Sequence, residues 1–429
     1  MKNFTYNSLS ENDIQNLCKR PKMDFQSIFG DIEPIIEKVG NEGDEGIRYF
    51  SEKFDKVAPD PQLINPTNVR IDLDPAVKTS IDIAFKNIYR FHKAQLPLPL
   101  EVETMPGVKC KRVARPIEKV GLYVPGGTAI LPSTLMMLGI PAALAGCKTI
   151  VVATPPDHDG NIADEILYIA QKIGVTHLLK AGGAQAIAGM ALGTQTVPKV
   201  DKIFGPGNQY VTAAKMLLQN SEAQIAIDMP AGPSEVLIIA DRSANPDFIA
   251  ADLLSQAEHG IDSQVVLVAA DGFNMDDCQH ALESQLKKLP REKIARQAIA
   301  KSFSLTVDSL DQAFDFSNKY APEHLIVQCE KAEQWADKIT NAGSVFLGNW
   351  TPESAGDYAS GTNHTLPTYG YARMFSGVSV DSFMKHITMQ TLSEDGLKTL
   401  GPTVEKLAEL EGLQAHKNAV SIRLENLEN

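Results

Sequence analysis

The chain has 429 residues, more than a single hydrophobic core usually organises, so two or more domains are expected. Its 43% hydrophobic and 22% charged residues are those of an ordinary globular protein, and a core is not in doubt. A net charge of -13, from 40 basic and 53 acidic residues, argues against nucleic acid or an anionic membrane surface as the main partner and favours a small molecule.

The first residues, MKNFTYNSLSENDIQ, lack the apolar run of a secretory signal and are too acidic for a transit peptide, which predicts a cytoplasmic protein. From Ser10 to about Phe91 the pattern is mainly helical. Met23 to Val39 and Pro75 to Phe91 carry apolar residues at three- and four-residue spacing, and Gly30 and Pro34 are expected to divide the first. Gln95 to Pro106 reads as a proline-broken connector, followed by short strands around Val108 to Val113 and Val120 to Val124. The uncharged run Thr128 to Cys147 is interrupted by Pro132, Ser133, Gly139 and Pro141, and reads as a buried helix rather than a membrane span. Cys18, Cys110, Cys147, Cys278 and Cys329 are odd in number and widely spaced, which suggests neither a disulfide framework nor a cysteine metal site.

Strands and helices then alternate. Thr149 to Thr154, His177 to Leu179 and Lys202 to Phe204 are each followed by a helical stretch, and the rhythm returns at Glu235 to Ala240 and Gln264 to Ala270. Such alternation predicts parallel sheets with crossover helices. Further strands are expected at Leu305 to Val307, Leu325 to Gln328 and Val345 to Leu347, with a wholly helical pattern from about Ser379. The resulting fold class is α/β: two Rossmann-like parallel-sheet domains, one inserted in the other, with helical appendages at both ends. The expected boundaries are 1–21 for an N-terminal helical arm, 22–122 with 237–378 for a larger discontinuous domain, 123–236 for the inserted one, and 379–429 for the tail.

Three glycine pairs fall where strands should hand over to helices: Gly126-Gly127, Gly182-Gly183, and Gly205 with Gly207. In an open parallel sheet such turns share the carboxyl edge, where backbone amides can approach a phosphate. None gives GxGxxG, so dinucleotide binding and plain tight turns both stand. If a nucleotide binds, Tyr123 can pack on a ring, and Gln185 and Asn208 can hydrogen-bond ribose or phosphate.

In LLSQAEHGIDSQ, Leu253 to Gln264, a helix capped by Asn245 and Pro246 should run until Gly260 and place Gln256 and His259 on one face. An imidazole beside an amide oxygen can hold a metal; the plainer alternative is a histidine bonding the last carbonyls. With Asp357 and His416, these residues make a two-nitrogen, two-oxygen set suited to zinc, or less tightly to manganese. Glu323 and His324, adjacent before a strand, can serve two proton transfers, or are a surface acid beside a half-buried histidine. The loop Trp350 to Gly370, which holds Asp357 and His364, is too long for a plain connector. PAGPSEV, Pro230 to Val236, is another loop entering a strand, with Ser234 near its end, and Glu411 lies in the helical tail.

LLSQAEHG, YAPEHL, GNWTPESAGDYASGTNHTLPTYG, IFGPGN, DMPAGPSEV and AHKNAV together resemble the histidinol dehydrogenases, from about residue 25 to the C-terminus. The chain departs from the family at Ile261, where proline is expected. The resemblance implies a cytoplasmic homodimer with shared active sites and one zinc per subunit. It would oxidise L-histidinol to L-histidine through histidinaldehyde with two NAD, the last steps of histidine biosynthesis. It assigns Gln256, His259, Asp357 and His416 as zinc ligands, His416 coming from the partner subunit's tail. Glu323 and His324 become the acid/base pair, and Tyr123, Gln185 and Asn208 the NAD contacts in 123–236. Ser234, His364 and Glu411, with Gln256, His259, His324, Asp357 and His416, become substrate contacts. Competing expectations are a zinc/NAD dehydrogenase of another small alcohol, a zinc hydrolase using Glu323 as base, and a thiohemiacetal route through Cys329.

Overall fold

The computed structural model describes residues 1–20, 25–126, 130–229, 232–270 and 272–428. Met23, Gly127, Thr128 and Pro230, named above, lie outside the described residues. In chain order the strands are β1 (Lys2–Thr5), β2 (Leu63–Ile64), β3 (Leu100–Met105), β4 (Val108–Pro116) and β5 (Lys119–Tyr123). They continue with β6 (Thr149–Thr154), β7 (His177–Lys180), β8 (Lys202–Phe204), β9 (Ala226–Ile227) and β10 (Glu235–Ala240). The last are β11 (Gln264–Ala269), β12 (Phe303–Thr306), β13 (His324–Gln328), β14 (Ser344–Leu347) and β15 (Met384–Leu392). The chain divides into one unit of Met1–Gln95 and Glu118–Phe383, and another of Leu96–Ile117 and Met384–Asn429.

The larger unit holds two sheets. In the first, ordered β2-β7-β6-β5-β8-β9, only the short β2 is antiparallel to its neighbour. Strands such as Thr149–Thr154 are apolar without alternation because helices cover both faces. The chain winds outward from β5 to β7, then crosses back to β8, which puts a topological switch between β5 and β8, where the carboxyl-edge turns open a crevice. The uncharged run forms the helix Pro132–Ala145, buried along most of its length. Among the described residues no helix is long and apolar enough to cross a membrane.

The second sheet, β1-β12-β11-β10-β13-β14, is parallel throughout. The parallel α/β architecture expected from the alternation is therefore present. Several local expectations are corrected. The N-terminal segment is not purely helical: Lys2–Thr5 pairs with Phe303–Thr306 and closes the sheet's edge before the helix Glu11–Leu17. Gly30 and Pro34 do not divide the helix Phe25–Glu42, because the stripe Ile28, Ile32, Ile35 and Val39 is buried in the core of the first sheet. The helices Phe25–Glu42 and Asp44–Phe54 pack on the helices of the first sheet.

The smaller unit is the sheet β15-β4-β3 with two helices, Glu394–Leu410 and Gln414–Glu428, packed on each other. The connector Gln95 to Pro106 thus contains a strand, and the tail opens with a nine-residue strand rather than a helix. β15 shows no buried stripe, so backbone pairing with β4 defines it.

Candidate active site

Asn245 accepts the Asp247 amide at 2.8 Å and Pro246 opens the helix, as its sequence predicts, but the helix closes at Ala257. His259 therefore lies just beyond the last turn, its amide 3.3 Å from the Gln256 carbonyl. Gln256 is fully buried, and neither its amide oxygen nor its nitrogen has a partner. Two unpaired polar atoms cost free energy unless a ligand completes them. His259 is exposed at its rim, yet desolvation by the protein behind it lowers its basicity against the opposing pull of Asp357.

The short helix Glu353–Tyr358 sets Glu353 and Asp357 four residues apart on one face. That face meets His324. Its Nε2 lies 3.3 Å from Asp357 Oδ1, and its Nδ1 3.6 Å from Glu323 and 3.9 Å from Glu353. Nδ1 also lies 3.3 Å from the Glu235 carbonyl, which can only accept, so Nδ1 carries the proton and donates. Burial lowers the basicity of this ring, but the carboxylates of Glu353, Glu323 and Asp357 around it outweigh burial and raise it well above the ordinary value, so without a ligand Nε2 also carries a proton, directed at Asp357. Glu323 accepts the Glu235 amide at 2.9 Å, and burial pushes its carboxyl up to about 8. Burial would likewise raise Asp357, but the hydrogen bond and charge of His324 outweigh it and hold this carboxyl low. The pair stands at the amino end of β13, with His324 opposite Val236, away from the carboxyl edge usual for such sheets.

His364 belongs to the same cluster. Its Nδ1 donates to the Asp357 carbonyl at 2.8 Å and its Nε2 accepts from the Thr134 hydroxyl at 3.3 Å, tying the loop to a helix of the first sheet. Ser234, half-buried, immediately precedes β10. Among the described His, Cys, Asp and Glu residues, His324, Glu353 and Asp357 have ligand atoms within 4.8 Å of one another. That set shares only Asp357 with the expected metal ligands. Glu411 and His416 are exposed at the start of the turn between the two helices of the smaller unit and on the second helix.

The glycine turns are braced to one another. The Tyr123 hydroxyl accepts the Gly183 amide at 3.0 Å, and burial lifts that hydroxyl to about 12. Gly183 has φ +62° and lies under Gln185, which is buried with its amide oxygen unpartnered and its nitrogen 3.4 Å from Asp55. Gly205 has φ +126°, and a Cβ there would come 2.1 Å from the Tyr123 carbonyl. Its amide donates to Asp228 at 2.8 Å and its carbonyl accepts Lys215 at 3.0 Å; Lys215 and Asp228 form a buried ion pair. Asn208 is exposed and caps the helix Gln209–Gln219 through its side-chain oxygen.

Glu353 and Glu235 were missed in the sequence. The four-residue spacing to Asp357 could have found Glu353, whereas nothing local marks Glu235, which meets the pair through its backbone.

Two wound sheets, braced glycine turns at the first one's switch point and a buried Glu-His pair at the second define a two-sheet dehydrogenase. The histidinol dehydrogenase family model matches residues 18–424. The chain is 59% identical to a chloroplastic histidinol dehydrogenase of Oryza sativa subsp. japonica, over 100% of this chain and 91% of that protein. It is 52% identical to the histidinol dehydrogenase of Schizosaccharomyces pombe, over 97% and 96%. A crystal structure of histidinol dehydrogenase from Elizabethkingia anophelis superposes with a TM-score of 0.93 at 50% identity, covering 100% of this chain and 99% of that one. The chain belongs to the histidinol dehydrogenase family, NAD-dependent oxidoreductases that catalyse the final steps of histidine biosynthesis.

Proposed function

We propose that this protein converts L-histidinol to L-histidine by two successive oxidations through L-histidinaldehyde, each using one NAD. The observation that carries the reading is the placement of His324: Nδ1–H fixed on a carbonyl, Nε2 3.3 Å from Asp357, and the Glu323 carboxyl beside it. His324 Nε2, once deprotonated, takes the alcohol proton in the first step, because an alkoxide-like oxygen releases hydride more readily than a protonated one. Glu323 then accepts a proton from the water that hydrates the aldehyde, while His324 returns the alcohol proton to the carbonyl oxygen and is again a base. His324 takes the proton of the hydrate's hydroxyl in the second oxidation. The thiohemiacetal alternative fits poorly, since burial lifts the Cys329 thiol to about 12.

NAD, bound at the turns carrying Tyr123, Gln185 and Asn208, would supply the hydride acceptor; the unpartnered oxygen of Gln185 suits a ribose or amide donor. Zinc would sit with Gln256, His259, Asp357 and a second copy's His416, and would orient the substrate's amine and imidazole. The orphaned Gln256 amide, beside an imidazole and a low carboxylate, fits such an ion. Within this reading Ser234, His364 and a second copy's Glu411 contact the substrate, and the working form is a homodimer with shared sites. The apolar side chains exposed on the smaller unit, Leu407, Leu410, Leu413 and Ile422, support a partner there. Five free cysteines suit a reducing cytoplasm.

The test is NADH formed per L-histidinol consumed by zinc-loaded protein with excess NAD. Two equivalents with histidine as product support the reading. One equivalent with released aldehyde removes the role of Glu323, and no turnover by folded, metal-loaded protein points to another small alcohol.

A further inference from the structure

The N-terminal segment delivers Arg20 into the second sheet, where Nε and Nη2 each donate to the Glu235 carboxylate at 2.8 Å. Both side chains are buried, 4% and 1% exposed. The guanidinium lies 3.5 Å over the Tyr320 ring, and the Tyr320 hydroxyl in turn donates to Gln264 at 2.7 Å. The remaining arm, Nη1, donates to the Cys18 carbonyl at 2.7 Å. A buried ion pair rarely stabilises a fold better than apolar residues of the same volume, so its use here calls for another benefit.

The main chain of Glu235 supplies one. Its amide donates to Glu323 at 2.9 Å and its carbonyl accepts His324 Nδ1 at 3.3 Å. One peptide residue therefore holds both members of the acid/base pair. Glu235 is the first residue of β10, and its ladder with β13 begins only at Val236, so on that side the two side chains take the place of strand pairing. On its other flank Glu235 pairs with Gln264 of β11, so this strand end is held by backbone pairing on one side only and depends on side-chain anchoring on the other. We propose that Arg20 and Glu235 are positioning residues: Arg20 clamps the Glu235 carboxylate so that the Glu235 peptide groups fix the orientation of Glu323 and the tautomer of His324. This rests on the acid/base roles given above to Glu323 and His324.

The test uses zinc-loaded full-length protein carrying Arg20→Met together with Glu235→Gln, which removes both charges and avoids stranding one. The expected result is a folded variant with parental zinc content, kcat lower by about 100-fold, and KM for histidinol and NAD within about threefold of the parent, as misplacement of reacting groups predicts. Arg20→Lys keeps the charge but loses the fork and the ring stacking, and should cost roughly tenfold in kcat. Either variant folded and turning over at the parental kcat overturns the proposal, as does a loss confined to KM. Glu323→Gln and His324→Asn are assayed beside them. Full activity in those two would sink the acid/base reading itself, whereas their inactivity beside a fully active double variant would sink only the clamp.

Discussion

Glu353 holds one carboxylate oxygen 3.9 Å from His324 Nδ1 while its other oxygen is buried without a partner. An arrangement that leaves a polar atom unsatisfied is costly, which suggests that its charge or its proton is used. Glu353→Gln keeps the shape and removes the acid. It is expected to lower kcat/KM about tenfold, or about 1.4 kcal/mol of transition-state stabilisation, with the unfolding midpoint unchanged or higher. Steady-state kinetics beside a melting curve checks it, and a variant as fast as the parent would leave Glu353 a packing role.

The two orphaned atoms of Gln256 give an opposite pair of effects. Replacing Gln256 by Leu should stabilise the metal-free protein, since each unsatisfied buried polar atom costs about 1–3 kcal/mol, yet it should abolish zinc binding. In the metal-stripped parent, zinc at about 100 times its Kd should add about 2.7 kcal/mol, and in His259→Asn it should add nothing. Melting with and without zinc reads both. A zinc shift that persists in His259→Asn would remove that residue from the ligand set.

Gly205 leaves no room for a side chain, because a Cβ would sit 2.1 Å from the Tyr123 carbonyl at a φ of +126°. Gly205→Ala is expected to cost about 1–3 kcal/mol from the backbone alone, and more from the contact. The KM for NAD should rise before that for histidinol, because the strained turn lies at the first sheet's switch point. Equal KM values for parent and variant would separate this turn from cofactor binding.

His92 offers a pH test outside the site. It is fully buried, with Nδ1 donating to the Ile88 carbonyl at 2.9 Å and Nε2 accepting from Asn363 at 3.2 Å, and desolvation lowers its pKa below 6.5. The unfolded chain then binds the proton more readily, so this contribution to stability is complete above pH 6.5 and is lost as the pH falls. His92→Gln should therefore be less stable than the parent at pH 7.5, with the gap narrowing towards pH 5. Urea unfolding across that range measures the gap, and a constant difference would show that His92 is not buried neutral.

The alternation of apolar strands with helices was readable because Thr149–Thr154, Glu235–Ala240 and Gln264–Ala269 are almost wholly buried, and continuous apolar runs record that. β15 was not readable, since its side chains are mostly exposed and only its pairing with β4 defines it. Likewise the helix Phe25–Glu42 tolerates Pro34 because its buried stripe outweighs local propensity. A long loop and an adjacent Glu-His pair pointed to Glu323, His324, Asp357 and His364, which the fold brings together. Arg20 and Glu235 gave no signal, being 215 positions apart and linked only by the fold.

Glu323 and His324 open a strand that is paired on both flanks, by β10 and β14, rather than riding on a free loop. One residue inserted ahead of His324 could not be absorbed as slack: a slip of the strand would turn every side chain of β13 to its opposite face. The proposed proton-transfer centre is thus tied to the sheet register and is closed to gradual remodelling. The surrounding loop, Trp350 to Gly370, is held by individual contacts such as His364 to Thr134 rather than by a strand register, so its positions outside Glu353, Asp357 and His364 are free of that constraint. Divergence in a lineage with this architecture is therefore channelled, with new substrates reached by changing the rim while the chemistry beneath stays the same.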